Sequence, residues 1–135
     1  MRFIIILFFI TAYTFAITGI ELAEKIESRG KPENIKSINT MILTNKDDRI
    51  KTLELISISK GDSKKQMIWF LKPKKDKGIA FLKIEHEDKD DFMTMWLPGF
   101  SRFKRIKSNQ KSDSFMGSDL SFEDLTNRTI SDYNY

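Results

Sequence analysis

The chain contains no cysteine among its 135 residues. This excludes disulfide bonds, thiol chemistry and a lipid-modified cysteine. The chain also has only one histidine, which is weak support for a metal centre and does not supply a Ser-His-Asp triad. A domain without covalent cross-links must be held together by its apolar core, and the length allows one such domain.

A strong charge imbalance is also missing. The chain has 23 basic and 19 acidic residues. Arg2 is the one charged residue in residues 1–16, and without this segment the net charge is +3. This excess is too small to indicate a nucleic-acid partner.

The N-terminus has the pattern of a secretory signal peptide. Arg2 precedes an apolar run over residues 3–10, and small residues follow at Thr14 and Ala16. An uncleaved membrane anchor is the alternative, but the apolar run is short for one. We predict a signal peptide over residues 1–16 and one exported domain over residues 17–135.

Residues 17–29 are predicted to form an amphipathic helix. Thr18 is a suitable N-cap because Glu21 follows three residues later, and Gly30 and Pro32 end the pattern. After Pro32, short runs rich in Ile, Thr, Phe, Trp and Met alternate with turn-like groups, which indicates an antiparallel meander. The runs cover residues 37–45, 49–59, 65–72, 78–84, 92–98 and 102–107.

Several of these strands are apolar on both faces. In the third run, Met67 and Trp69 alternate with Ile68 and Phe70. Two apolar faces indicate that one packs on a helix while the other lines a second layer or a cavity. The last run, residues 131–135, is read as the start of a strand with an unpaired edge, either covered by another chain or marking a shortened protein.

Acidic side chains in "FMGSDLSFEDL" (residues 115–125) raise the possibility of a catalytic or metal-binding cluster. The stronger interpretation is structural, because Ser121 and Asp124 fit a capping box that Leu120 and Leu125 would staple. On this interpretation Asp119→Asn mainly lowers stability. His86, in an acidic turn, is interpreted as a solvated residue. We therefore predict no catalytic residues, no metal and no cofactor.

The segment "SRFKRIKSNQK" (residues 101–111) is basic and has no acid. One interpretation is an edge strand paired electrostatically with the acidic residues 112–125. The other is a basic rim for acidic lipid head groups or an acidic partner protein, formed by Arg102, Lys104 and Arg105.

The stretch "MWLPGFSRFKRIKSNQKSDSFMGSDLSFEDL" (residues 95–125) resembles the signature of LolA-like outer-membrane lipoprotein-sorting proteins. The similarity includes the W-L-P strand at Trp96, the K-R-I segment at Lys104 and the whole F-M-G-S-D motif region, residues 115–125. The upstream "WFLKPKKDKGIAFLKIE" (residues 69–85) also resembles the strand-turn-strand of that family.

The resemblance implies an α+β fold: a curved antiparallel sheet, an unclosed half-barrel, with helices packed on its concave face. Family members normally continue with several further strands, so this chain would carry the N-terminal part. The implied activity is non-catalytic carriage of lipids or lipid-modified proteins across the periplasm, with a possible inner-membrane transporter as partner. The alternatives are an interaction or envelope-sensing module that pairs through its sheet edge, or a non-functional gene fragment.

Three sets of residues follow from this hypothesis. Flexible methionine and aromatic side chains suit variable apolar ligands, and the candidates for an acyl-lining surface are Trp69, Leu71, Phe81, Met93, Met95 and Trp96. The basic-rim candidates are Arg102, Lys104 and Arg105. The structural motif consists of Phe115, Met116, Gly117, Asp119, Ser121 and Asp124.

Overall fold

The computed structural model describes residues 17–30, 32–127 and 130. They divide into two units, one with residues 17–30 and 130 and the other with residues 32–127. The predicted signal peptide and the predicted strand start at 131–135 lie outside the described residues. No helix in the described ranges is long and apolar enough to cross a membrane.

The first unit contains one α-helix, α1, over Gly19–Glu27. Its predicted capping box is present: the Glu21 N–H donates to Thr18 Oγ1 at 3.3 Å, and the Thr18 N–H donates to Glu21 Oε2 at 2.8 Å. The Thr18 backbone N–H, which donates to the Glu21 carboxylate, and after it the Thr18 hydroxyl hold the pKa of the Glu21 carboxyl below its ordinary value. The helix ends at the Ser28 C-cap, close to the predicted end.

The second unit is a six-stranded antiparallel sheet in which every strand pairs with its neighbour in the chain. The strands are β1 (Asn34–Thr44), β2 (Ile50–Lys60), β3 (Lys65–Lys72), β4 (Ala80–Ile84), β5 (Phe92–Leu97) and β6 (Arg102–Ile106). The predicted meander is therefore confirmed, with strand ends shifted by a few residues. The register between β2 and β3 slips once, between Glu54 and Leu55.

One face of the sheet is buried, and we call it the core face. Alternate residues of β2 to β6 point to it, because side chains change sides at each step along a strand. Its buried apolar residues are Leu53, Leu55, Ile68, Phe70, Phe81, Met93, Met95 and Ile106.

Residues 107–127, the covering segment, pack on the core face. This segment contains two 3-10 turns, Ser108–Gln110 and Glu123–Leu125. Its Phe115 and Phe122 are 1% and 4% exposed and belong to the same apolar cluster as the core face. The α+β fold on an unclosed antiparallel sheet is confirmed, and irregular chain with 3-10 turns supplies this cover.

Four phenylalanine rings join the covering segment to the sheet. The Phe115 ring lies 6.0 Å from Phe70 and 5.5 Å from Phe81, between ring centroids. The Phe122 ring lies 5.7 Å from Phe81 and 5.6 Å from Phe115. These spacings and the tilted or edge-on orientations are those preferred by aromatic pairs.

A buried lysine anchors the end of the covering segment. Lys83 on β4 is 1% exposed, and its Nζ donates to Glu85 Oε1 at 2.6 Å and to the Leu125 carbonyl. Glu85 in turn accepts from the Asn127 backbone N–H at 2.8 Å. The buried charge is thus paired and hydrogen-bonded, as burial requires.

The ring cluster predicts how stability responds to truncation. Phe115→Ala removes a fully buried ring, so we expect the free energy of unfolding to fall by about 3–5 kcal/mol. Phe100→Ala is the control: Phe100 is 71% exposed, and its loss should change stability by less than about 1 kcal/mol. Urea unfolding of both variants measures the difference, and equal effects would contradict the assigned role of Phe115.

Candidate functional site

The F-M-G motif forms a tight reversal within the covering segment. Met116 and Gly117 have φ angles of 57° and 77°, in the left-handed region. The Phe115 N–H donates to the Leu120 carbonyl at 2.6 Å across the turn. The reversal therefore sends both Phe115 and Phe122 to the core face.

The polar residues after this reversal form a cap. The Ser121 N–H and Oγ–H both donate to Asp124 Oδ2 at 2.8 Å, and the Asp124 N–H donates to Ser121 Oγ at 3.2 Å. The 3-10 turn Glu123–Leu125 follows directly. Leu125 packs against the core, whereas Leu120 is 46% exposed. Among the described residues, no group of His, Asp and Glu is placed to hold a metal ion.

The face opposite the core face, the second face, carries a continuous apolar row. One position from each strand stands directly opposite its neighbours. The row consists of Ile38, Ile56, Trp69, Ala80, Trp96 and Phe103. Ile38, Trp69 and Phe103 are 74%, 40% and 71% exposed. A polar residue is expected at such positions on a solvated sheet face, so this row requires a functional explanation.

Ala80 creates a hollow in the middle of the row. Its small side chain lies opposite Trp69 on one side and Trp96 on the other. The hollow has a volume of about 70 Å³, and its walls include Met67, Leu82 and Trp96. The Trp96 and Phe103 ring centroids lie 4.9 Å apart, which fixes one side of the hollow.

The six predicted lining residues do not share one face. Trp69 and Trp96 lie in the row on the second face. Phe81, Met93 and Met95 are 0%, 1% and 7% exposed and are packed in the core, while Leu71 lies where the β2–β3 register slips. That these residues line an acyl-binding surface stays a prediction, and of the six only Trp69 and Trp96 lie in the row, whereas Phe81, Met93 and Met95 are in the core.

The predicted basic rim is divided in the same way. Arg105 follows Phe103 by two residues and so lies on the second face, and its guanidinium stands 4.1 Å from the Phe92 ring centroid. Arg102 and Lys104 alternate to the other face. The salt bridges between described residues involve none of these three cations.

The acidic turn after β4 is tied to the covering segment through Asp91. Its carboxylate accepts from the Lys111 Nζ at 2.7 Å and from the His86 N–H at 3.2 Å. Burial raises the pKa of the Asp91 carboxyl, but these hydrogen bonds and the charges of Lys111 and Lys83 outweigh burial. The net result is a pKa below the ordinary value.

Comparisons with known proteins agree with this fold. A family model described as "Uncharacterized protein" matches residues 62–135. The chain belongs to this family. A domain from Vibrio parahaemolyticus, assigned to outer membrane lipoprotein sorting, is 31% identical with a TM-score of 0.73, over 83% of this chain and 49% of that one. A DUF1329 family protein from Desulfovibrio piger is 30% identical with a TM-score of 0.70, over 81% and 48%. A comparison with curated proteins finds no match.

The likeness confirms a LolA-like fold. The chain spans about half the length of each of these two solved relatives.

Sequence reasoning missed the residues that shape the hollow. Ala80, Leu82 and Phe103 were not among the candidates, because alternation alone does not align positions on different strands. The useful signal is an alanine that has a large apolar residue directly opposite it on each neighbouring strand. This signal can be found only when the strand register is known.

The cap predicts different effects for two aspartates of the motif. Asp124→Ala removes the acceptor for Ser121, so we expect stability to fall by about 1 kcal/mol. Asp119 is exposed, so Asp119→Ala is the matched control, and Asp119→Asn should also be nearly neutral. The exposure of Asp119 thus leads to a different prediction from the sequence pattern, which favoured a stability loss for Asp119→Asn. Equal losses for both alanine variants in urea unfolding would contradict the cap.

The lowered pKa of Asp91 predicts a loss of stability in acid. A carboxyl whose folded pKa is depressed stabilises the fold above its unfolded pKa, and this contribution disappears as pH falls through the folded value, below about pH 4. We expect the wild type to lose more stability between about pH 6 and pH 3 than Asp91→Asn does. Asp88→Asn, in the same turn and exposed, should keep the wild-type slope. An unchanged slope in Asp91→Asn would refute the assignment.

Proposed function

We propose that the chain is a periplasmic lipid-carrier-like protein that shields acyl chains on the second face of its sheet. The observation that carries this proposal is the apolar row with exposed Ile38, Trp69 and Phe103. The covering segment packs on the core face, which supports the second face as the surface for an extended acyl chain.

The row has the dimensions of an acyl chain. Six strands spaced about 4.8 Å apart make it roughly 24 Å long. One leaflet of a bilayer core is roughly 15 Å deep, so a chain of that reach fits along the row. Burying it is favourable by about 0.8 kcal/mol per methylene, without any polar chemistry.

The hollow over Ala80 adds selectivity for a narrow apolar group. Its walls are Met67, Leu82 and Trp96, and flexible or flat side chains of this kind adapt to hydrocarbon. Arg105, on the same face, provides a positive charge beside the aromatic residues. It is the member of the predicted basic rim that suits an acidic lipid head group.

This function is non-catalytic, and it agrees with the lipoprotein-sorting assignment of the Vibrio parahaemolyticus domain. The predicted signal peptide supports export to the periplasm. The partners would then be the acyl chains of lipids or lipoproteins, with an inner-membrane transporter as a possible donor.

One observation favours the alternative function, an interaction module that pairs through its sheet edge. β6 is an edge strand of the described sheet, and four of its five residues are exposed. A partner strand would add to this edge by main-chain hydrogen bonds. Light scattering separates the two functions, because a monomer that binds lipid supports the carrier and an obligate oligomer supports the module.

The chain contains a built-in reporter for acyl binding. Its two tryptophans, Trp69 and Trp96, both lie in the row on the second face. A fatty acid brominated near the middle of its chain should therefore quench the tryptophan fluorescence of the purified chain in a saturable way. The unbrominated fatty acid should compete with it.

A filled hollow provides the matched test. Ala80→Phe occupies the hollow without removing a tryptophan, and we expect it to weaken quenching about tenfold or more, since about two methylenes of contact are lost. Ala80→Ser keeps the size and should bind like the wild type. Thermal unfolding checks that both variants fold. Absence of saturable quenching in the wild type, or equal binding by Ala80→Phe, would overturn the proposal.

A further inference from the structure

The geometry points to a separate binding pocket for an anionic amphiphile, between the turn-side end of the β1–β2 hairpin and the Met116–Gly117 turn. The pocket has a volume of about 390 Å³, within the range of small-molecule sites. It would hold an acidic head group and the first methylenes of the attached chain.

Three apolar side chains line this pocket: Leu43 and Ile50 from the hairpin and Met116 from the turn. Leu43 and Met116 are partly buried against the core, which gives the pocket a firm apolar wall. Ile50 is 69% exposed and stands at its mouth. Methylenes of a ligand would contact these side chains.

Two cationic side chains, Arg49 and Lys51, line the pocket. Lys51 lines it, but its Nζ lies 3.1 Å from the Asp76 carboxylate, which offsets its charge. Arg49 also lines it, and within the described part of the chain no salt bridge involves Arg49. Because no carboxylate lines the pocket, Arg49 is placed to pair with an anionic ligand.

The position of Arg49 is well defined by the hairpin turn. Asn45 Oδ1 accepts from the Asp47 N–H at 3.0 Å and from the Arg49 N–H at 2.9 Å. The Asn45 N–H donates to the Arg49 carbonyl at 3.1 Å. The backbone that carries the guanidinium is thus closed by three hydrogen bonds.

Through Met116, the F-M-G motif forms part of the wall of this pocket. A methionine at φ 57° is in a left-handed conformation, which is unfavourable for a residue with a side chain. Folding tolerates this conformation here, and the flexible thioether chain lies in the pocket wall. The motif turn thus supplies an apolar contact in addition to orienting Phe115.

The pocket is independent of the proposed acyl-binding row. It is built from the hairpin and the covering segment, whereas the row lies on the second face. Ligand binding here is expected to leave the tryptophans unquenched, so success or failure at one site does not decide the other.

Methionine methyl resonances report on this pocket directly. In the purified chain labelled with ¹³C at the methionine methyls, the Met116 signal is identified by its loss in Met116→Leu. We expect decyl phosphate, below its micelle concentration, to shift the Met116 signal in a saturable way. Decyl maltoside supplies the same chain with an uncharged head group, and inorganic phosphate supplies the anion alone.

The charge test uses two matched variants. Arg49→Gln should weaken decyl phosphate binding about tenfold. Lys89→Gln, an exposed cation in the β4–β5 turn, should leave the binding unchanged. The proposal is overturned if Arg49→Gln binds like the wild type, if decyl maltoside or inorganic phosphate binds as tightly as decyl phosphate, or if the Met116 signal does not move.

Discussion

The packing of four phenylalanine rings decides which face of this sheet is buried. Phe70 and Phe81 come from the sheet, and Phe115 and Phe122 come from the covering segment. Where these rings are in contact, the core face is filled by the covering segment. The hydrophobic side chains on the second face are then more than the core of the described residues requires. A surface of that kind is a binding surface or an aggregation risk.

The sequence predicts the elements of this fold well because they are local. Six runs of alternating apolar residues become six strands, and the Thr18–Glu21 spacing becomes a capping box. The choice of face is not local, since it depends on ring contacts between residues 34 to 45 positions apart in the chain. Phe81 and Trp96 therefore look equivalent in sequence, although the Phe81 side chain is fully buried in the core and Trp96 lies in the row on the second face.

Charge on a strand is equally hard to assign from sequence. Arg102, Lys104 and Arg105 are close together in the chain, but a strand sends consecutive side chains to opposite faces. The cations of this one run are thus divided between the two faces of the sheet. The cation beside the apolar pocket, Arg49, belongs to a hairpin turn that looks merely polar in sequence. The structure therefore separates the apolar row, with Arg105 beside it, from a second pocket that Arg49 lines.

The hydrogen bonds of Lys83 affect which substitutions the covering segment can tolerate. Its ammonium is held by a main-chain oxygen, the Leu125 carbonyl, as well as by Glu85. A main-chain acceptor is present whatever residue occupies position 125. The main-chain part of this attachment therefore does not depend on the side chain at position 125, whereas it does depend on Lys83 and Glu85, which lie about 40 residues earlier in the chain.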